Sequence, residues 1–146
     1  MRTAKGFSLL EVLVAIVVVS TGVLGVAGLQ ISSMQNNTSA LFRTQASQLA
    51  YDIIDRARAN PEGDYMVNLA DDAPGSPNCV NQECAPAEMT DYDLSLWLAD
   101  VITSLPAGDA AITMNGSLVT VTVQWDDSRS ATNAPVSVSV TTALAQ

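Results

Sequence analysis

An almost uninterrupted apolar stretch near the start of the chain limits what this sequence can become. Residues 7–31 contain one charged residue, Glu11, and no proline. A helix of this length would be about 37 Å long, enough to cross a hydrocarbon core about 30 Å thick with some tilt. Arg2 and Lys5 precede the stretch and favour a cytoplasmic N-terminus with export of the rest. The sequence therefore predicts a membrane-spanning helix followed by an exported part.

Glu11 makes this segment unusual, because a carboxylate inside a membrane helix is costly and by default marks a functional site with a partner. The run Lys5-Gly-Phe-Ser-Leu-Leu-Glu11 resembles the class III leader junction of type IV prepilins. The resemblance implies a leader of residues 1–6 and cleavage between Gly6 and Phe7 by a prepilin peptidase. It also implies N-methylation of Phe7 and pairing of Glu11 with the N-terminal amine of a neighbouring subunit. The alternatives are an ordinary secretory signal and a Glu11 that reaches the membrane surface.

The helical period continues after the apolar run, although the composition becomes polar. Apolar residues recur at spacings of three and four and form a stripe: Phe42, Ala46, Leu49, Ala50, Ile53 and Ala57. Asp52 and Arg56 have the order and spacing of a surface ion pair. Asn60-Pro61 should end the helix, because proline disfavours a helical residue before it. We therefore predict one helix from about Phe7 to Ala59, with residues 7–31 in the membrane and 32–60 outside as its amphipathic half.

Residues 61–89 form an acidic stretch with four prolines, counting Pro61 and Pro86, and two cysteines, Cys79 and Cys84. In an exported segment with no histidine or basic neighbour to activate a thiol, these cysteines predict a disulfide. A redox-active pair remains the weaker alternative, because its usual spacing is two residues. Zinc would need more ligands than this stretch offers.

The last third of the chain predicts a short helix and an antiparallel sheet. Thr90 with Asp93 resembles a helix cap, and apolar residues at helical spacing continue to Leu105, which predicts a helix over 90–105. Asn115-Gly116 is a strong hairpin signal, and alternating valines on both sides predict three strands over 110–144. The predicted fold is α+β and pilin-like: a long spine helix packed against a short helix and a three-stranded antiparallel sheet, with 61–146 as the globular part.

Two further stretches resemble the PilV group of minor pilins. One runs from Gln48-Leu-Ala50 to Arg58-Ala-Asn-Pro61, and the other is Val-Gln-Trp-Asp-Asp-Ser-Arg over 123–129. Both are more typical of this group than of its relative, the GspI-type pseudopilin of type II secretion. The acidic loop lies outside the resemblance.

Composition argues against other classes of function. The chain has no histidine and a formal net charge of −9, which removes histidine-dependent catalysis and disfavours direct nucleic-acid contact. Acid pairs at Asp71-Asp72, Asp91/Asp93 and Asp126-Asp127 could serve acid–base chemistry. We interpret them as solvated or capping residues, with Arg129 as a partner of the last pair, and find no EF-hand spacing for calcium. We expect no enzymatic activity, no catalytic residues, no cofactor and no metal site.

The resemblance implies a minor pilin that joins a priming complex at the inner membrane and initiates or supports type IV pilus assembly. Its partners would be other minor pilins and the major pilin, through the N-terminal helix. Further partners are the prepilin peptidase, the inner-membrane assembly platform and, indirectly, a tip adhesin. The expected location is the inner membrane, as a single-pass protein with a periplasmic C-terminal domain, and secondarily the extracellular pilus. The alternative is a minor pseudopilin of type II secretion at the tip of a periplasmic pseudopilus.

Overall fold

The computed structural model describes residue 6, residues 8–127 and residues 134–144. The elements, in chain order, are α1 (Leu9–Ala59), α2 (Pro86–Ser104), β1 (Asp109–Asn115), β2 (Leu118–Trp125) and β3 (Val136–Ala143). The chain divides into two compact units, Met1–Ser39 and Ala40–Gln146. This is the predicted α+β arrangement of a long N-terminal helix, a second short helix and a three-stranded antiparallel sheet.

The first unit consists of the N-terminal part of α1, and this part buries almost nothing. All its described residues are exposed except Ala27 and Ser39, which are half-buried. Large apolar side chains point outward along its length, with Leu9 at 88% and Leu24 at 72% exposure. Because a stable helix in water hides an apolar face, this part of α1 requires an apolar environment from outside the chain.

The second unit has one hydrophobic core, built from the C-terminal part of α1, from α2 and from one face of the sheet. The predicted stripe supplies the α1 side of this core, with Phe42 and Leu49 half-buried and the rest fully buried beside Ile54. The largest fully buried side chains are Trp97, Trp125 and Tyr65. The helix ends at Ala59, directly before Asn60-Pro61, as predicted.

The start of α2 differs from the sequence prediction. The helix begins at Pro86 rather than Thr90, with Pro86 in its first turn and Ala85 as the cap residue. The Glu88 carboxylate accepts the Ala85 N–H at 2.9 Å, which is half of a capping box. Proline suits a first helical position, because its missing N–H would have no helical partner there. Thr90 lies inside the helix, where its hydroxyl donates to the Pro86 carbonyl at 3.0 Å.

The sheet has the order β1-β2-β3 with both pairs antiparallel. The β1–β2 hairpin forms where predicted, but its two loop residues are Gly116 and Ser117, one position later than the Asn-Gly signal. Gly116 has φ +61°, and a positive φ at the first loop position is typical of a type II′ turn, which favours glycine there. Alternate residues of β2 are buried from Val119 to Trp125, while the other face carries hydroxyl ladders such as Thr120–Thr141, 2.9 Å.

The loop between the helices is held by its own disulfide and by contacts with the rest of the globular unit. Cys79 and Cys84 form the predicted disulfide. Val67 forms a bridge with Ile112 of β1. The main-chain N–H of Ala70 donates to the Asp109 carboxylate at 3.1 Å. The disulfide closes a loop of only a few residues, so its contribution belongs at the low end of the usual range.

Ala70 has φ +62°, a left-handed conformation that costs about 1 kcal/mol for a residue with a side chain. We expect Ala70→Gly to raise the free energy of unfolding by about 0.5–1 kcal/mol, because glycine adopts this conformation without strain. The hydrogen bond to the Asp109 carboxylate is kept, since it uses only the main-chain N–H of residue 70. Urea titration of the full chain in detergent micelles, followed by tryptophan fluorescence, measures this change. Ala99→Gly, at an exposed position of α2, should instead lower stability by about 1 kcal/mol. Destabilisation by both variants would contradict strain at Ala70.

Candidate functional site

The predicted processing site lies at the limit of the described residues. Gly6 is exposed. Phe7 and the leader residues 1–5 fall outside the described part of the chain, so the cleavage and methylation predicted for Phe7 remain predictions. Ser8 is the first residue of the helix start: its carbonyl accepts the Glu11 N–H at 3.1 Å and the Val12 N–H at 3.3 Å.

Glu11 is in the first turn of α1 and is exposed. No residue in the described part of the chain pairs with its carboxylate. It stands at one end of an exposed apolar face, and the helix continues this face through Val12, Ala15, Ile16 and Val19. By length and composition α1 is long and apolar enough to cross a membrane, and its most apolar part is not buried within the chain. Inside a membrane an unpaired carboxylate is costly, which makes Glu11 the candidate site of this helix.

Sequence reasoning missed one aspect of this segment. Ser8 and Glu11 have the spacing of a capping box, and the Ser8 hydroxyl lies 3.4 Å from the Leu10 nitrogen. A negative charge in the first turn is also favoured by the helix dipole. The Ser-x-x-Glu spacing was visible in the sequence and could have predicted this contribution. Glu11 can therefore support the start of its own helix while its carboxylate stays accessible to a neighbour.

A second polar cluster lies in the globular unit, where α1 ends beside α2. Arg56 binds the Asp52 carboxylate at 3.0 Å, as its spacing predicted. It also reaches Asp93 of α2 at 3.3 Å. Asp93 is 8% exposed, and its other carboxylate oxygen accepts the Tyr65 hydroxyl at 2.7 Å. The expectation that Asp93 is a solvated or capping acid is therefore wrong: it joins α1, α2 and the loop between them.

This cluster changes the pKa values of two of its members. Burial and the hydrogen bond to the Asp93 carboxylate raise the pKa of Tyr65 to about 12, because both disfavour a phenolate beside a carboxylate. Burial alone would lower the pKa of Arg56, but hydrogen bonds and charge from Asp52 and Asp93 outweigh it, and the pKa is raised. Arg56 is thus a permanent cation and Tyr65 a neutral donor at ordinary pH.

Further contacts attach α2 to α1 and to Asn60, which directly follows α1. The Asn60 side-chain amide donates to the Pro86 carbonyl at 2.8 Å and lies 3.2 Å from the Thr90 hydroxyl. The Trp97 indole N–H donates to the Leu49 main-chain carbonyl at 2.8 Å. Asn60 therefore takes part in the contact between the two helices, which we call the α1–α2 joint.

The other acid pairs do not form a catalytic arrangement. Asp71 accepts the Asn68 main-chain N–H at 2.8 Å in a turn, and Asp126 is exposed at the end of β2. Arg129, expected beside it, lies outside the described residues. Across the described ranges there is no group of three or more acids or cysteines that could hold a metal ion.

Two family models match adjoining parts of the chain. The prokaryotic N-terminal methylation motif matches residues 1–27. The family described as type IV pilin Tt1218 matches residues 28–95. No curated protein and no solved structure matches the chain.

The two matched ranges include the residues whose contacts are described above. The methylation motif covers Gly6, Phe7 and Glu11, and the pilin match includes the α1–α2 joint. Such proteins are structural and non-enzymatic, act with other pilins and are processed by a prepilin peptidase. The methylation motif and the exposed apolar helix together fit a membrane-anchored chain. Over residues 1–95 the chain is thus similar to type IV pilins and to their N-terminal methylation motif.

Proposed function

We propose that this protein is a minor pilin of the PilV group, which joins other minor pilins at the inner membrane and initiates type IV pilus assembly. The observation that carries the proposal is the N-terminal part of α1. It exposes its apolar side chains all around and has one carboxylate, Glu11, without a partner among the described residues. A helix of this kind is built to pack against other apolar helices rather than against its own globular unit.

In this mechanism Gly6–Phe7 is cleaved, and the new N-terminal amine of one subunit pairs with Glu11 of its neighbour. Inside a bundle of apolar helices an unpaired charge costs several kcal/mol. Subunits that are shifted along the bundle axis would leave Glu11 unpaired. The charge pair therefore sets the axial register, while the apolar side chains supply the attraction between helices.

The proposal assigns residues 1–6 to the leader, 7–31 to the membrane, 32–60 to the amphipathic half of the spine and 61–146 to the periplasm. The resemblance of the Arg-Ala-Asn-Pro stretch and of residues 123–129 to PilV proteins supports the PilV assignment. The assembly platform and a tip adhesin complete the proposed set of partners. The second candidate is a type II secretion pseudopilin of the GspI type, which the same exposed helix would also serve.

The first experiment is mass spectrometry of the mature chain from cells with and without an active prepilin peptidase. A mature N-terminus at methylated Phe7 that is lost without the peptidase supports the proposal, and cleavage after the apolar run overturns it. Deletion of the gene then separates the two candidates. Loss of surface pili with normal secretion supports the minor pilin, whereas normal pili with blocked secretion of folded proteins supports the pseudopilin.

We expect Glu11→Gln to reduce the number of surface pili at least about tenfold, because the pair with the neighbouring amine is lost. The amount of chain in the membrane should stay unchanged, since the helix start and the apolar surface are kept. Glu62→Gln, at an exposed acid of the globular unit, is the matched control and should assemble normally. Normal piliation in the Glu11 variant would show that the carboxylate has no role in register.

A further inference from the structure

The two edge strands of the sheet, β1 and β3, differ in the main-chain pairing on their outer sides. On the β1 side, Ile112 exchanges two main-chain hydrogen bonds with Val67: its N–H donates at 2.8 Å, and its carbonyl accepts at 3.2 Å. This bridge occupies the centre of the β1 edge. On the β3 side, no strand in the described ranges lies beyond Val136–Ala143.

The register shows which main-chain groups β3 leaves without a partner strand. The Leu144 N–H donates to the Ser117 carbonyl at 2.8 Å, so even-numbered positions of β3 direct their N–H and C=O groups toward β2. In an antiparallel pair the alternate residues direct theirs away. The main-chain groups of Ser137, Ser139 and Thr141 therefore face the free edge.

Among the described residues, the strand itself lacks the usual protection, although the Arg58 guanidinium of α1 contacts it near one end, where it donates to the Thr142 hydroxyl at 3.2 Å. Strands at natural sheet edges are commonly shortened or guarded by a charge, a proline or a bulge. Val136–Ala143 has eight residues, Val-Ser-Val-Ser-Val-Thr-Thr-Ala, with no charge, proline or glycine, and it pairs with β2 without a bulge. It is long and regular enough to accept another strand.

The apolar layer of the sheet is also incomplete at β3. Val121 and Val123 of β2 are fully buried. Their partners Val140 and Val138 are only half-buried. A further strand with apolar side chains on this face would cover them.

We propose that the free edge of β3 binds an extended segment of a second protein, which adds a fourth strand to the sheet. The segment alternates apolar residues, placed beside Val138 and Val140, with polar residues on the hydroxyl face. It is neutral or basic, because the chain carries a net charge of −9 and repels acidic partners, including its own copies. This binding site lies in the globular unit, and the proposal does not depend on the priming role.

The probe is a fluorescent synthetic peptide of alternating threonine and valine flanked by lysines, titrated against the full chain in detergent micelles. We expect saturable binding that weakens at least about tenfold in Ser139→Pro, because the proline removes an edge-facing N–H without touching the β2 ladder. Ser139→Ala is the matched control: it also loses the Thr122–Ser139 hydroxyl contact of 3.0 Å but keeps the main chain, so it should bind normally. Equal binding by all three proteins overturns the proposal.

Two further peptides keep the test decisive on the unmodified protein, even if the proline variant fails to fold. A peptide with alternate backbone nitrogens methylated along one edge should lose binding, because it cannot donate to β3. A peptide flanked by glutamates should bind several-fold more weakly at low salt, and this difference should shrink at high salt. Binding that survives backbone methylation overturns the strand-addition proposal. A concentration-dependent dimer of the chain that Ser139→Pro dissolves would assign the edge to a second copy and overturn the choice of a different protein.

Discussion

Asp93→Ala is expected to lower the free energy of unfolding of the globular unit by about 3 kcal/mol. The change leaves the partly buried Arg56 guanidinium with Asp52 alone and removes the acceptor of the buried Tyr65 hydroxyl. Removing one partner of a buried charge pair costs more than the pair itself contributes, because the remaining charge stays desolvated. Trp97 and Trp125, both buried in this unit, provide the fluorescence signal for urea titration of the full chain in micelles.

The matched control is Asp91→Ala, which removes an exposed acid two residues away on the same helix and should change stability by less than about 0.5 kcal/mol. The double variant of Arg56→Ala and Asp93→Ala should be less destabilised than the sum of the single variants, since neither charge is then left without its partner. Additive losses would mean that the 3.3 Å contact between Arg56 and Asp93 carries no coupling energy.

Stability is also expected to fall steeply between pH 10 and pH 12 because of Tyr65. Its pKa is raised to about 12 in the folded chain, against about 10 in an unfolded one. The folded state therefore holds the phenolic proton more tightly, and the stabilising contribution is complete below pH 10. It is lost as the pH rises toward 12, and a difference of two pKa units corresponds to about 3 kcal/mol.

Tyr65→Phe should be less stable than the parent chain at neutral pH by about 1–2 kcal/mol, since it loses the bond to Asp93. Above pH 10 its stability should fall less steeply, so the two curves converge and then cross as the pH approaches 12. The measurement is the free energy of unfolding in urea at a series of pH values, with Tyr51→Phe as the control, because Tyr51 is 56% exposed. Parallel curves for the parent and Tyr65→Phe would show that another group causes alkaline unfolding.

The parts of the fold that depend on residue spacing could be predicted from the sequence. Three patterns have a helical or strand period: the apolar stretch, the stripe from Phe42 to Ala57 and the alternating valines. Each of them forms the predicted kind of element in the structure. The disulfide followed from compartment and spacing. The end of α1 at Asn60-Pro61 followed from the steric effect of proline on the residue before it.

The sequence prediction was wrong where one residue type suits two positions. Proline suits both an irregular loop and a first helical turn, and so the start of α2 was placed at Thr90 instead of Pro86. Asp93 was misassigned for another reason. Its partners Arg56 and Tyr65 are 37 and 28 positions away in the chain, and no local pattern reports that α2 brings them together.

Between Leu9 and Thr38 every residue is exposed in the chain itself except Ala27, which is half-buried. A deep mutational scan of this protein should therefore give two different maps of which positions tolerate substitution, depending on the property that is scored. Scored by the folding of single chains in detergent, positions 9–38 would tolerate most changes of size, while the core around Trp97 and Trp125 would not. Scored by assembled filaments, the tolerant region would become the demanding one, because in the proposed assembly neighbouring molecules supply its close packing. Under that proposal, evolution of this helix is constrained by its partners' sequences rather than by its own fold.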